Sequence, residues 1–308
     1  MLVQDVPKEF QTFQLPPTGP YPPYGGGLHL EEVMFKRLER AKNEIKTTMV
    51  YLPIFWTSYY HKNGHGEKSE PLLDFIDSLD KSKTYFTIVQ YASGIFVRNL
   101  LPNLYVFCAG GGGQNHKSSV INTKVRNVPR TLFAGRTGDC ILPLIASEPF
   151  PFTDKKDRPV YCSFVGNFDT HECRYVLKDF IGDNKKECGH YNISVPYGKP
   201  EEYIDMTNSS IFTLAPRGYG YTSFRLYEAI VGGSIPIYVW EDQLILPYQD
   251  KIDWGEFCVI IHTTMIKSLP TILKNCNIEA MQAKLKKVQH FFTMDYLEEY
   301  VKEKLSNK

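Results

Sequence analysis

No pair of aspartates in the 308-residue chain is spaced as D-x-D, and no cysteine pair as C-x-x-C. The first absence removes the usual carboxylate seat for a metal-bound diphosphate; the second disfavours a zinc ribbon or a thiol-exchange motif. No run approaches the roughly 20 apolar residues that span a bilayer, and the first residues, Met1 to Pro7, have neither a basic nor an apolar region of signal-peptide type. The expectation is a chain without a membrane anchor, soluble and cytoplasmic. A formal charge of +1 supplies no global field for nucleic acid or an anionic membrane, which disfavours a nucleic-acid function. No G-x-G-x-x-G follows the first strand of either half, which disfavours an NAD-dependent dehydrogenase. No repeat of solenoid length is visible.

What is present is globular. Charged residues make up 22% and apolar residues 43%, enough to fill cores, and 308 residues exceed one core of ordinary size, so two domains are expected. Seven scattered cysteines, an odd number, read as reduced and mostly buried thiols. Tyr and Phe are abundant at 20 and 19, which suits sugar-binding faces as well as ordinary cores.

Along the chain, residues 1–27 read as an irregular arm rich in Pro, Gly and Tyr. A helix follows over 28–46, with Leu30, Val33, Met34, Leu38 and Ala41 on its apolar face and charges on the other. Strands are expected at 48–55, 84–91, 104–109 and 139–143, and a helix at 71–79. The boundary falls in the charged, Pro-punctuated stretch after Phe152. A second series of strands follows at 160–165, 211–215, 235–239 and 257–261, alternating with helices near 172–180, 223–231 and 266–273. One long helix at 279–304 is expected to reach back over the first domain. Strand and helix alternation points to α/β domains with doubly wound parallel sheets. The domains are set at 1–152 and 159–275, with 276–308 as a C-terminal helix.

The chemistry concentrates in 212–238, read as a strand, a glycine-containing loop and a helix start. Thr222 or Ser223 caps that helix and leaves its first N–H groups facing the loop, an arrangement that binds a diphosphate. Arg217 and Arg225 add forked donors, Gly218 and Gly220 allow close backbone approach, and Glu228, one turn past Arg225, suits ribose hydroxyls. The plain alternative for Arg225 and Glu228 is a surface ion pair. Tyr219 and Tyr221 flank the loop as candidates to contact a nucleotide base.

This segment, with its Ser-x-Arg-x-x-Glu-Ala run (Ser223 to Ala229) and Ile-Pro-Ile strand (Ile235 to Ile237), resembles the donor-binding signature of the exostosin family, glycosyltransferase family 47. The resemblance extends to Leu246-Pro247, to Ile252 through Val259, to Arg158 through Gly166 followed by Arg174, and to Gly138 through Pro143. It implies two Rossmann-like domains facing a cleft, the glycosyltransferase B fold. In size the chain is similar to the short soluble exostosin-like enzymes of large algal viruses. The implied activity is inverting transfer from a UDP-sugar, UDP-xylose among the candidates, to a hydroxyl of a glycan acceptor. The donor set is Gly166, Arg174, Arg217, Gly218, Tyr221, Thr222, Ser223, Arg225 and Glu228, with no metal and no further cofactor. A general base is expected from the first domain; His116, His65 and Glu148 are the candidates. Tyr51, Phe55, Trp56, Tyr59 and Tyr60 are expected to stack on acceptor sugars. Two other readings stand beside this one. They are a non-catalytic exostosin-like binding subunit and a glycoside hydrolase, which needs paired carboxylates but no phosphate cradle.

Overall fold

A computed structural model describes residues 1–14, 22, 27–66, 68–98, 103–110, 134–136, 138–152, 157–183, 193–194, 200–241 and 243–308. The chain divides into two compact units, Met1–Glu148 with Met294–Lys308, and Pro149–Thr293.

The first unit contains β1 (Leu2–Val3), α1 (Leu30–Ala41), β2 (Val50–Tyr51), α2 (Trp56–Lys62), α3 (Glu70–Asp77), β3 (Tyr85–Val89), β4 (Ile95–Val97), β5 (Leu104–Cys108), β6 (Ala134–Arg136) and β7 (Cys140–Ile141). Its parallel sheet runs in the order β1-β2-β3-β5-β7, while β4 and β6 form a separate antiparallel ribbon. All of β3 is buried, as its unbroken apolar and aromatic run requires of a central parallel strand. The N-terminal arm starts with structure rather than irregular chain, because Leu2 and Val3 pair with Val50 and Tyr51. Phe10 is also buried, against Tyr59 and Phe75.

The strand expected over 48–55 is only two residues long. Leu52 still donates to Phe86 at 2.8 Å, but Pro53 has no N–H to continue the ladder and Ile54 turns back onto the Leu52 carbonyl. Helix α2 then occupies residues 56–62, for which sequence patterning gives no element. Its aromatic residues are core, with Trp56 and Tyr60 fully buried and Trp56 Nε1 donating to Thr87 Oγ1 at 2.8 Å, so the expected sugar-stacking role of this cluster is corrected.

The second unit contains β8 (Val160–Val165), α4 (Cys173–Asp183), β9 (Ile193–Ser194), α5 (Pro200–Ser209), β10 (Ser210–Pro216), α6 (Phe224–Val231), β11 (Ile235–Trp240), β12 (Val259–His262), α7 (Leu269–Lys274) and α8 (Ile278–Val288). The sheet is parallel in the order β12-β11-β10-β8-β9. From β8 the winding proceeds first to β9 on one side and then to β10, β11 and β12 on the other. The direction reverses between β8 and β10, which makes the crevice beyond their carboxyl ends the topological switch point where such sheets bind ligands. Trp254 lies buried beside Phe257 and Phe292, its Nε1 donating to the Pro247 carbonyl at 2.8 Å.

The long C-terminal helix is two helices. After α8 the chain tightens into a 3-10 turn at Gln289–Phe292 and passes through extended Thr293 into α9 (Met294–Ser306). The break is held because Gln289 Nε2 donates to the Ile230 and Val231 carbonyls at the end of α6, and because Phe292 is buried. Helix α9 belongs to the first unit, where Arg37 of α1 reaches Asp295 and Glu298 at 2.8 and 2.9 Å. Among the described residues no helix is long and apolar enough to cross a membrane.

Candidate functional site

The switch point of the second unit is built by two loops, one after Val165 and one after Pro216. Three arginines hold them. Arg174, in the first turn of α4, is 2% exposed; it donates through Nε to the Arg217 carbonyl at 2.8 Å, through Nη2 to the Pro216 carbonyl at 3.3 Å and through Nη1 to the Asn167 carbonyl at 2.6 Å. Arg225, in the first turn of α6, donates through Nε to the Val165 carbonyl. Its guanidinium and that of Arg174 lie 5.5 and 5.7 Å from the Phe164 ring centre. Arg217 is wholly buried, stacked 4.4 Å from the ring centre of buried Tyr221 and donating to the Gly220 carbonyl at 3.2 Å.

Gly166 explains how Arg225 reaches β8: a Cβ there would stand 2.3 Å from Arg225 Nη2, so only glycine admits the guanidinium. Gly218 differs. A Cβ on it would meet the Thr222 carbonyl oxygen at 3.6 Å and Arg174 Nη2 at 3.7 Å, ordinary contacts, so protein packing does not demand glycine there.

Ser223 stands at the N-cap of α6 with extended backbone, φ −144° and ψ 155°, but its side chain makes no capping bond. Its hydroxyl is buried and has no hydrogen-bond partner among the described residues. Neighbouring Thr222 is engaged otherwise, its Oγ1 donating to Tyr227 Oη at 3.1 Å. The helix mouth therefore carries an unused hydroxyl beside the first-turn N–H groups, of which that of Leu226 turns back to the Ser223 carbonyl at 3.1 Å. Glu228 is 6% exposed and accepts the Tyr203 hydroxyl. Arg225, at 8% exposure, and Glu228 are thus interior residues, and the surface ion-pair reading is corrected. Tyr219, between two glycines of the loop, is 61% exposed.

Gly166, Arg174, Arg217, Gly218, Tyr221, Thr222, Ser223 and Arg225 all belong to these two loops and the first turns of the helices after them, and Glu228 lies one turn further along α6. Sequence reading missed Tyr203 of α5 as the donor to Glu228, because its signal is 25 residues distant. The clamping of backbone by Arg174 is also invisible in the motif, since a guanidinium suits carbonyl oxygens as well as phosphate oxygens.

Of the proposed bases, His116 lies outside the described residues. His65 sits exposed at a tight turn with φ 57°, flanked by Gly64 and Gly66 in the same left-handed region. Its Nδ1 is 3.3 Å from Tyr91 Oη. Glu148 is exposed. Asp139 has a structural role, its Oδ2 accepting the Val106 N–H at 2.8 Å. Among the described residues one group brings three metal-type ligand atoms together. His171, Cys173 and Glu241 place one each within 4.8 Å of one another, with His171 Nδ1 3.4 Å from Glu241 Oε2.

Comparison with known proteins bears on the second unit. Residues 150–276 match the Exostosin GT47 domain. A probable glucuronosyltransferase of Oryza sativa subsp. japonica is 33% identical over 99 residues, 32% of this chain and 23% of that protein. The probable beta-1,4-xylosyltransferase IRX10 of Arabidopsis thaliana is 33% identical over 104 residues, 34% of this chain and 24% of that protein. The match thus spans about a quarter of the length of these curated relatives. Among solved structures, the pneumococcal O-GlcNAc transferase GtfA, in complex with UDP and GlcNAc, is similar at TM-score 0.42 and 11% identity, over 89% of this chain and 59% of that chain. TarM is similar at TM-score 0.42 and 9% identity, over 88% and 57%. The switch point of the second unit, with its three guanidinium groups and the mouth of α6, therefore lies inside the segment, residues 150–276, that matches the Exostosin GT47 domain.

Proposed function

We propose that the chain is an inverting glycosyltransferase that binds a UDP-sugar at the switch point of its second unit and passes the sugar to a hydroxyl of a glycan. The observation that carries this reading is the mouth of α6: the partnerless Ser223 hydroxyl beside three arginine side chains, all within the segment that matches the Exostosin GT47 domain. The names of the relatives favour xylose or glucuronic acid as the sugar moved.

The diphosphate would lie across the first turn of α6, taking hydrogen bonds from its N–H groups and from Ser223 Oγ. As the acceptor oxygen bonds to the anomeric carbon, its O–H bond breaks and the proton passes to a general base, while the bond to the diphosphate oxygen breaks and its electron pair stays on the leaving group. Fixed positive charge then stabilises the product more than the reactant. Arg174, Arg217 and Arg225 supply that charge already oriented, because their carbonyl bonds fix them before any ligand arrives. On this reading no metal is needed. Seven scattered cysteines with no C-x-x-C spacing fit a reducing compartment, and we place the reaction in the cytoplasm.

A second reading of the charge balance rests on His171, Cys173 and Glu241, which follow β8 and β11 at the carboxyl edge of the same sheet and offer a thiol, an imidazole and a carboxylate suited to zinc. One experiment separates them. Thermal shift with UDP, UDP-xylose, UDP-glucuronic acid and ADP should show selective stabilisation by the uridine ligands. Transfer to oligosaccharide acceptors should then persist in EDTA. Loss of transfer on chelation, restored by zinc, selects the metal reading; no stabilisation by any uridine ligand defeats the donor site itself.

A further inference from the structure

The donor loop leaves β10 between two strands whose own exits carry metal-type ligands. His171 and Cys173 follow β8, Cys173 being the first residue of α4, and Glu241 is the first residue after β11. In the sheet order β12-β11-β10-β8-β9, β8 and β11 lie on either side of β10. One ligand atom from each of the three residues nevertheless lies within 4.8 Å of the other two. An ion shared by them spans the exit of β10, from which the loop of Arg217 to Ser223 departs.

The chemistry of the three groups selects the ion. A thiolate and a carboxylate bring two negative charges and a neutral imidazole none, so a divalent cation leaves the group without net charge, as an interior position requires. Sulfur and nitrogen ligands suit zinc, whereas magnesium and calcium take oxygen. The spacing agrees. His171 Nδ1 stands 3.4 Å from Glu241 Oε2, and a tetrahedral zinc ion with bonds of about 2.0–2.1 Å separates its nitrogen and oxygen ligands by about 3.3–3.4 Å. On binding, the Nδ1 lone pair that accepts the Cys173 N–H at 3.2 Å passes to the ion. The His171 and Glu241 side chains are 15% and 31% exposed, which gives the ion a path from solvent, while Cys173 is fully buried on the inner side. Three protein ligands leave the fourth position to water.

Arg174 follows Cys173 directly and donates to the Arg217 and Pro216 carbonyls at 2.8 and 3.3 Å. An ion on Cys173 fixes the residue beside that clamp, and through Glu241 it fixes the strand on the far side of the same loop. We propose that His171, Cys173 and Glu241 hold one zinc ion that is resident before any donor arrives and staples the exits of β8 and β11 around the loop of β10. Such an ion differs from a counter-charge that arrives with the diphosphate, since the protein alone supplies its ligands. The staple stands whether or not the donor reading holds.

The test uses the full chain, stripped with EDTA, desalted and titrated with ZnCl₂, MnCl₂ or MgCl₂ in the absence of nucleotide. Zinc should bind at one equivalent and raise the melting temperature, and manganese and magnesium at the same concentration should not. Cobalt in place of zinc should give a thiolate-to-metal absorption band. Cys173→Ser should abolish that band and weaken zinc binding more than about a hundredfold, beyond the loss expected from a supporting neighbour. Because Cys173 is buried, a second variant separates metal loss from misfolding. Glu241→Gln alters a partly exposed side chain; its metal-free melting temperature should equal that of the wild type, and its zinc affinity should fall about tenfold or more. Failure of the wild type to take up one equivalent of zinc, or unchanged zinc affinity in either variant, overturns the proposal. So does zinc uptake that appears only once UDP is added, which assigns the ion to the diphosphate. Zinc uptake by a protein that does not bind UDP keeps the staple and defeats the donor reading; UDP binding by a protein that takes up no zinc does the reverse.

Discussion

The two units carry sheets of the same size and opposite habit. In the first, strands follow one another across the sheet in chain order; in the second, the order reverses once, between β8 and β10. Where it reverses, the second unit places buried arginines whose donors go to backbone carbonyls. Beyond its own strand ends the first unit buries carboxyl groups and imidazoles. A guanidinium has five donors and no acceptor, so it is satisfied by carbonyls that two loops leave over, and in exchange fixes those loops. A buried carboxyl group offers two oxygens, and here one is used by the protein and the other is not. The guanidinium groups of the second unit are therefore fixed before a ligand arrives, with the Ser223 hydroxyl left unbonded, while in the first unit it is the carboxyl groups that retain unmet hydrogen-bonding capacity.

The sharpest way to break this contrast is to remove a clamp. Arg174→Ala strands the Arg217, Pro216 and Asn167 carbonyls in the interior, and the second unit should lose about 3–5 kcal/mol. Because Trp56 lies in the first unit and Trp240 and Trp254 in the second, urea unfolding followed by fluorescence in a Trp56→Phe background should show the second unit melting early. An unchanged midpoint would deny that the arginine holds the loops. Arg225→Ala should cost less stability, about 2–3 kcal/mol, and in addition lower UDP affinity more than tenfold. Arg225→Lys should restore neither, since an ammonium is not planar and cannot span from the Val165 carbonyl to the space under Gly166. Recovery in the lysine variant would reduce Arg225 to a point charge.

The same contrast decides what could be read from sequence. The second unit's site is nearly contiguous: strand, loop, cap and helix run from Phe212 to Ile230, and Arg174 and Gly166 follow one strand. Local spacing was enough to gather those residues. The cluster in the first unit is assembled from His29 to Glu32, Thr57 to His65 and Gln90 to Tyr91, three segments with no common period. Glu31 and Glu32 look like the solvated face of an amphipathic helix because their partners are about 26 residues further on. Helix α2 was missed for a related reason. All of Trp56, Thr57, Ser58, Tyr59 and Tyr60 are buried, so no polar face marks a helical period. The break before α9 rests on one glutamine bonding the end of α6, which no local pattern announces.

Acid titration sharpens the comparison from the side of the first unit. The pKa of His61 falls from 6.5 to about 4 on folding, so the unfolded chain binds more protons between those values. Its contribution is complete above pH 6.5 and is lost as the pH falls toward 4. Glu31 and Glu32 oppose it: their raised values favour the folded state below the unfolded carboxyl pKa of 4.5, and that contribution disappears as the pH rises through their folded pKa. Replacing His61 by Phe removes one side of this balance. Stability measured from pH 6.5 to pH 4 should then fall by about 2–3 kcal/mol less than in the wild type. An identical slope in both proteins would mean that His61 is solvated and that the interior cluster is not closed.

The smallest effect expected belongs to the most exposed aromatic residue of the switch point. Tyr219 lies between Gly218 and Gly220 with 61% of its surface open, so Tyr219→Ala should change stability by less than about 0.5 kcal/mol. A ring held at the rim of a diphosphate site gains from stacking on a nucleobase, which places the expected loss of UDP affinity at about three- to tenfold. Pyrophosphate has no base, and its affinity should not move. The pair of titrations assigns the loss: equal weakening of UDP and pyrophosphate would put the defect in the glycine loop and its backbone donors, whereas weakening of UDP alone places the nucleobase over Tyr219 and gives the donor a direction along the mouth of α6.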